Sequence, residues 1–172
     1  SNLSLTVYEL VCLGRSPHKE WWELDLDEND HFEVERSIAL TDMTYLKNKP
    51  IYALSGGQRQ RAFLSLALAQ DAKTLLLDEP TTFLDLRYQL QFLDLLKRLN
   101  NEQALSIITV IHDLNLAARY CDRIAVLKDG ELLAIDKPRE VLTEELMKQA
   151  FQVETCQIET PIGLQICTIK SF

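Results

Sequence analysis

Glycine is scarce in this sequence, and the scarcity excludes one kind of site. The 172 residues contain five glycines, Gly14, Gly56, Gly57, Gly130 and Gly163. None opens or closes a G-x-x-x-x-G-K-S/T loop, whose backbone N–H groups and lysine grip the phosphates of a nucleotide. Positive charge is also short: 18 Lys and Arg against 26 Asp and Glu leave a net charge of -8. Phosphate backbones are held by clustered cations, so no nucleic-acid partner is expected. No apolar run approaches the ~18–20 residues that span a bilayer, and no charged-then-apolar secretion signal opens the sequence. We therefore expect a soluble chain whose contact with any membrane runs through a partner. The four cysteines, Cys12, Cys121, Cys156 and Cys167, form no C-x-x-C pair and have no histidine at zinc-finger spacing. Buried, reduced thiols in a cytosolic compartment are expected, in preference to a metal site or a disulfide frame. Internal repeats and low-complexity segments are absent as well.

With 47% hydrophobic residues the chain can bury a core, and its length suits one domain with at most a small appended piece. Residues 7–50 mix apolar and acidic residues, Asp27, Glu28, Asp30, Glu33 and Glu35 among Val34, Ile38 and Met43. That mixture predicts short amphipathic helices and few strands. Ser55 with Gln58 three residues on has the form of a capping box, and Ala62, Phe63, Leu66, Ala67 and Ala69 follow at helical spacing, so a helix begins there. Residues 75–77 make a short apolar strand. Residues 86–99 are helical by the spacing of Leu86, Leu90, Leu93 and Leu96, and 106–111 form a second strand rich in β-branched residues. Strand, helix, strand is the pattern of a parallel α/β sheet. Asp113 is placed to cap a helix over 114–120, and 124–127 with 131–135 flank Lys128-Asp129-Gly130 as a hairpin at a sheet edge. Thr143 caps a last helix with Glu144 and Glu145 in its first turn, and a hairpin turning at 160–163 follows, flanked by 155–158 and 164–169.

Two stretches are suited to chemistry. A Ser-Gly-Gly turn at a helix start traps anions: the glycines allow close backbone approach, free N–H groups point outward, and the helix dipole favours negative charge. By itself Ser55 reads more readily as a cap for a buried helix. Asp78 and Glu79 follow three leucines and so lie at the C-terminal edge of the sheet, where open α/β sheets bind ligands. Neighbours on a strand point to opposite sides, which would divide their labour. In isolation such a pair also looks like two solvated acids. His112 ends the second strand at the same edge, where a lone histidine is more often structural. His18 and His31 read as surface or packing residues, Trp21-Trp22 as core or an apolar patch, and Arg59 and Arg61 as solvated or paired with acids.

Together, Leu54-Ser55-Gly56-Gly57-Gln58-Arg59-Gln60-Arg61, Thr74-Leu75-Leu76-Leu77-Asp78-Glu79-Pro80, Thr81-Thr82-Phe83-Leu84-Asp85 and Ile111-His112-Asp113 resemble the later part of an ABC transporter ATP-binding subunit. Leu5-Thr6-Val7-Tyr8-Glu9-Leu10-Val11, Gly14-Arg15-Ser16-Pro17-His18 and His112-Asp113-Leu114-Asn115-Leu116-Ala117-Ala118-Arg119-Tyr120 resemble the ATPases of bacterial importers for ferric siderophores, haem or cobalamin. The resemblance implies an α/β fold, a partial P-loop NTPase core with a parallel sheet plus a helical subdomain. Its spans are 1–54, helical subdomain; 55–140, signature helix and α/β core; and 141–172, C-terminal helix and hairpin. It also implies that the sequence starts just after the Q-loop, with roughly the first third of a subunit, phosphate loop included, lying before it.

The implied cofactors are ATP and Mg2+. Ser55, Gly56, Gly57 and Gln58 would contact the γ-phosphate of a nucleotide held by the other subunit of a head-to-tail dimer. Asp78 would face magnesium through water, Glu79 the attacking water as general base or positioning group, and His112 the γ-phosphate as switch histidine. Asp85 resembles the D-loop aspartate that shapes the dimer interface. The implied partners are a second copy and the transmembrane permease subunits, on which the segment before Leu54 docks, at the cytoplasmic face of the membrane. A whole subunit would be an ATPase powering import, and this chain alone is expected to be inactive. Two other readings remain. Chromosome-maintenance ATPases share these motifs but need long heptad arms and basic surfaces, and neither is here. A non-catalytic binding or regulatory module would lack a phosphate loop of its own, and the upstream gene sequence separates it from an ATPase fragment.

Overall fold

The first three helices are each opened by a reciprocal side-chain cap. The Thr6 hydroxyl accepts from the Glu9 N–H while the Glu9 carboxylate accepts from the Thr6 N–H, starting α1 (Val7–Cys12). Asp27 and Asp30 form the same box at α2 (Glu28–Leu40). Ser55 and Gln58 form it at α3 (Gly56–Ala69), the helix expected from their spacing. Each box satisfies two N–H groups that the helix itself cannot. This computed structural model describes residues 5–18 and 25–172, so the Trp21-Trp22 pair lies outside the described residues.

The chain divides into two compact units, Ser1–Val110 and Ile111–Phe172. In the first, Val7, Val11, Val34, Ile38 and Met43 are wholly buried together with Ala62 and Ala69, so α3 shares its core with α1 and α2. Packing thus groups α3 with the two helices before it. Between α1 and α2 a 3-10 turn, Leu13–His18, runs against the end of α3. A Cβ at Gly14 would stand 2.4 Å from the Leu66 carbonyl oxygen, too close for any side chain. Gly14→Ala is therefore expected to lower stability by about 1–3 kcal/mol, as overpacking against backbone does. Urea unfolding of the two proteins would show it, and an unchanged midpoint would contradict the close approach.

The α/β part of this unit is β1 (Thr74–Leu77), α4 (Leu86–Gln103) and β2 (Ser106–Thr109), with the strands parallel and Leu75 opposite Ile107. Phe92, Leu93, Leu95, Leu96 and Leu99 form the buried stripe of α4, and Ala104 stops it in the left-handed region at φ 50°. The second strand is shorter than expected, ending at Thr109, although the Val110 N–H still donates to the Leu77 carbonyl at 2.9 Å. Leu75 is buried, while Leu76 and Ile108 are 75% and 62% exposed, so one apolar side of this ladder is open.

In the second unit Asp113 caps α5 (Leu114–Tyr120), its carboxylate accepting from the Asn115 and Leu116 N–H groups at 2.8 and 3.0 Å. An antiparallel hairpin, β3 (Ile124–Lys128) and β4 (Glu131–Asp136), leads to α6 (Pro138–Val141) and α7 (Glu144–Phe151), the latter capped by Thr143. The last ladder is β5 (Val153–Thr160) with β6 (Gly163–Ser171), also antiparallel. The hairpin expected at a sheet edge instead stands as its own ladder: among the described residues every sheet has two strands. Val126, Val141, Leu142, Met147, Leu164 and Ile166 make the core. The Asn115 amide ties α5 to β6, donating to the Ile166 carbonyl and accepting from its N–H. The cysteines depart from expectation, since Cys12, Cys121 and Cys156 are half-buried and Cys167 is exposed.

Candidate functional site

The Ser55-Gly56-Gly57-Gln58 turn forms the N-terminus of a 14-residue helix. Ser55 Oγ accepts from the Gln58 N–H at 3.3 Å, and Gln58 Oε1 accepts from the Ser55 N–H at 3.1 Å. The cap engages a lone pair on Oγ and leaves the hydroxyl proton to be donated outward, so capping and ligand contact are compatible. Gly56 and Gly57 have no earlier helical carbonyl to receive their N–H groups, and the positive end of the helix dipole lies there. A Cβ at Gly57 would meet Tyr88 Cβ at 3.5 Å, and one at Gly56 would meet Leu84 Cδ2 at 3.8 Å. The segment after β1 therefore approaches the turn at Leu84 and Tyr88.

That segment begins where β1 ends. Asp78 is exposed and Glu79 half-buried, and both lie past Leu77, the last strand residue. Strand alternation therefore does not set their directions, contrary to the reading from sequence. The left-handed backbone at Glu79, φ 45°, does so instead, a conformation that costs a non-glycine residue about 1–2 kcal/mol. Its side chain is held: Glu79 Oε2 accepts from Thr82 Oγ1 at 3.0 Å, and the Thr82 N–H donates to the Glu79 carbonyl at 3.2 Å. Phe83 follows at φ 71° with its side chain fully exposed. Asp85 occupies the N-cap position of α4 but makes no side-chain cap bond, so its exposed carboxylate is not used as the cap that its position suggests. Thr82 was missed from sequence, although a hydroxyl three residues after an acid in a Pro-initiated turn was a readable signal.

Ser55 to Gln58, Asp78, Glu79 and Asp85 all belong to the first unit, and His112, exposed in a bend after β2, belongs to the second. Among the described residues no three His, Cys, Asp or Glu side chains gather as a metal site. One exposed carboxylate such as Asp78 is nevertheless what magnesium asks of a protein when phosphate oxygens and water supply its other ligands. Beside the turn, α3, α4 and the 42–45 turn line a cavity of about 560 Å³. On its wall Arg61 and Arg98 both hold Asp42 Oδ2, at 3.2 and 3.0 Å, so Arg61 is paired with an acid of the helical segment. The exposed His31 shares a hydrogen bond through Nδ1 with the Tyr8 hydroxyl at 2.7 Å, in keeping with the surface or packing role expected.

Residues 3–82 match the ABC transporter family. The chain is 45% identical over 165 residues to the petrobactin import ATP-binding protein FpuD of Bacillus anthracis, which covers 95% of this chain and 60% of that protein. Residues 3–82 of this chain belong to the ABC transporter family. A second ABC relative, the iron(3+)-hydroxamate import ATP-binding protein FhuC of Bacillus subtilis (strain 168), is 45% identical over 157 residues, 91% of this chain and 58% of that one. The fold agrees: an inward-facing structure of an ABC transporter assigned to the metal-chelate type superposes with a TM-score of 0.87 at 26% identity, over 98% of this chain and 67% of its own. The chain thus spans about 60% of the length of the curated ABC relatives it matches.

Proposed function

We propose that this chain is the later part of the ATP-binding subunit of an ABC importer, and that the whole subunit hydrolyses ATP to drive an iron-siderophore-type substrate through a permease. The observation that carries this is the juxtaposition of a Ser-Gly-Gly helix start with the loop that follows the Asp78-Glu79 end of β1. The import roles of the FpuD and FhuC relatives support the substrate class. When bound, Mg-ATP supplies an electrophilic γ-phosphoryl group whose charge the metal partly neutralises. Asp78 holds the metal's hydration shell, and Glu79 accepts a hydrogen bond from the attacking water and takes its proton. Thr82 keeps the Glu79 carboxylate in place. The Ser55 hydroxyl and the Gly56 and Gly57 N–H groups donate to phosphate oxygens of a nucleotide carried by a second copy in a head-to-tail dimer. Gln58 buttresses Ser55, Asp85 faces the dimer interface, and His112 donates to the γ-phosphate. The dimer sits peripherally at the cytoplasmic face of the membrane on its permease.

The sequence has no phosphate-gripping loop, so the chain alone is expected to bind no Mg-ATP in calorimetry. Mixing it with the separately expressed preceding segment of the same gene is expected to create binding. Tight binding by the chain alone would overturn the role in trans given to Ser55–Gln58. No binding in either sample would favour the non-catalytic module.

A further inference from the structure

The β5–β6 ladder sets Cys156 directly opposite Cys167. The ladder has two unlike faces. Thr155, Leu164 and Ile166 are buried toward the second unit's core, whereas Ile158, on the side of the two cysteines, is about half exposed. Cys167 is exposed and Cys156 half-buried, and both are thiols. Residues directly opposed in an antiparallel ladder have Cα atoms about 4.5 or 5.5 Å apart, and either spacing falls within the ~4.4–6.8 Å found in disulfides. Their Cβ atoms, about 4.5–5.5 Å apart on a ladder, must close to ~3.5–4.5 Å in the bond. Closure therefore needs a small inward shift of the two strands and leaves a bond more reducible than an unstrained one. Neither Cys12 nor Cys121 faces another cysteine across a strand.

We propose that Cys156 and Cys167 form a reversible thiol–disulfide site on the outer face of the last hairpin, whose reactant is a low-molecular-weight disulfide. The Cys167 thiolate, the more accessible of the two, attacks one sulfur of that disulfide. The small molecule's S–S bond breaks, its first thiolate leaves and takes up a proton, and a mixed disulfide stands at Cys167. Cys156 then loses its proton and attacks the Cys167 sulfur, expelling the second small thiolate. Two protein thiols have lost two protons and two electrons, and the small disulfide has been reduced to two thiols. Excess small thiol runs the sequence backward. Closure joins the two strands of a ladder that gives Leu164 and Ile166 to the core and the Ile166 backbone to Asn115.

The test is mass spectrometry of the full chain after incubation with excess oxidised glutathione. Both cysteines fall in the tryptic peptide 149–170, which is expected to become lighter by two hydrogens and to lose both alkylatable thiols together. Cutting that peptide after Glu154 and Glu159 should then leave 155–159 and 160–170 joined. Cys12, whose thiol burial raises above its ordinary pKa, serves as a slow-reacting internal control. In Cys156→Ser the glutathione adduct on Cys167 should persist, because no second thiol displaces it. The proposal is overturned if wild-type protein carries stable separate adducts at the two positions, links them only between chains, or keeps both thiols alkylatable after Cys12 has reacted.

Discussion

Replacing Arg15 with methionine is expected to destabilise the first unit by about 3–5 kcal/mol, the usual cost of removing one partner from a buried ion pair. Arg15 and Asp30 are 5% and 2% exposed, and Arg15 Nε meets Asp30 Oδ1 at 3.0 Å. The same guanidinium donates through Nη1 to the Ala69 carbonyl at 2.7 Å, a helix-end oxygen that α3 cannot satisfy internally. One side chain therefore joins the 3-10 turn, the start of α2 and the end of α3. The other Asp30 oxygen accepts from the Asp27 N–H, so the carboxylate is committed to its place and cannot follow a new partner into solvent without breaking the α2 cap. Lys47–Glu35 and Arg36–Glu33 are more exposed pairs, and removing either should cost no more than about 1 kcal/mol. Urea unfolding of Arg15→Met, Asp30→Asn and the double variant would separate the pair from its parts. The double variant is expected to recover part of the single loss. A loss below about 1 kcal/mol for Arg15→Met would mean that the pair behaves as an exposed one.

What was legible in the sequence was what neighbouring residues decide. The Ser55–Gln58 box, the Asp113 cap and the Thr143 cap each depend on side chains within three residues of the helix start, and all three stand where the spacing put them. The β1–α4–β2 crossover followed from apolar runs and a leucine stripe. The final hairpin turns between Thr160 and Gly163 as the local residues indicated, while its pairing of Cys156 with Cys167 became visible only in the ladder. What escaped were features set by distant packing or by a single dihedral. Arg15 finds Ala69 across 54 residues, a partnership no local pattern announces. The cysteines were expected inside because the residue type favours burial, yet the hairpin turns Cys167 outward. At the site the motif residues were visible, but the orientation of Glu79 was not. Alternation along β1 was extended past Leu77 into a turn where Glu79 is left-handed.

Glu79→Gln is expected to lower ATP hydrolysis by about a hundred- to ten-thousand-fold in the ATPase reconstituted from this chain and its preceding segment, the range that a general base contributes. Nucleotide binding should survive, because the amide keeps the shape of the carboxylate and removes only its charge and basicity. The local geometry makes the reading specific. Glu79 leaves β1 through a strained left-handed turn and offers one carboxylate oxygen to Thr82 at 3.0 Å, so a water-directed base has a fixed bearing. Thr82→Val should then act through Glu79 alone. Losing one hydrogen bond to a charged group, worth about 1.5–3 kcal/mol, would lower kcat by roughly ten- to a hundred-fold while leaving KM unchanged. In the Glu79→Gln background the same substitution should add little, since the two residues serve one step. Phosphate-release rates for the four combinations decide it. Wild-type turnover in Glu79→Gln would remove Glu79 from proton transfer, and fully additive losses would show that Thr82 works by another route than holding the carboxylate.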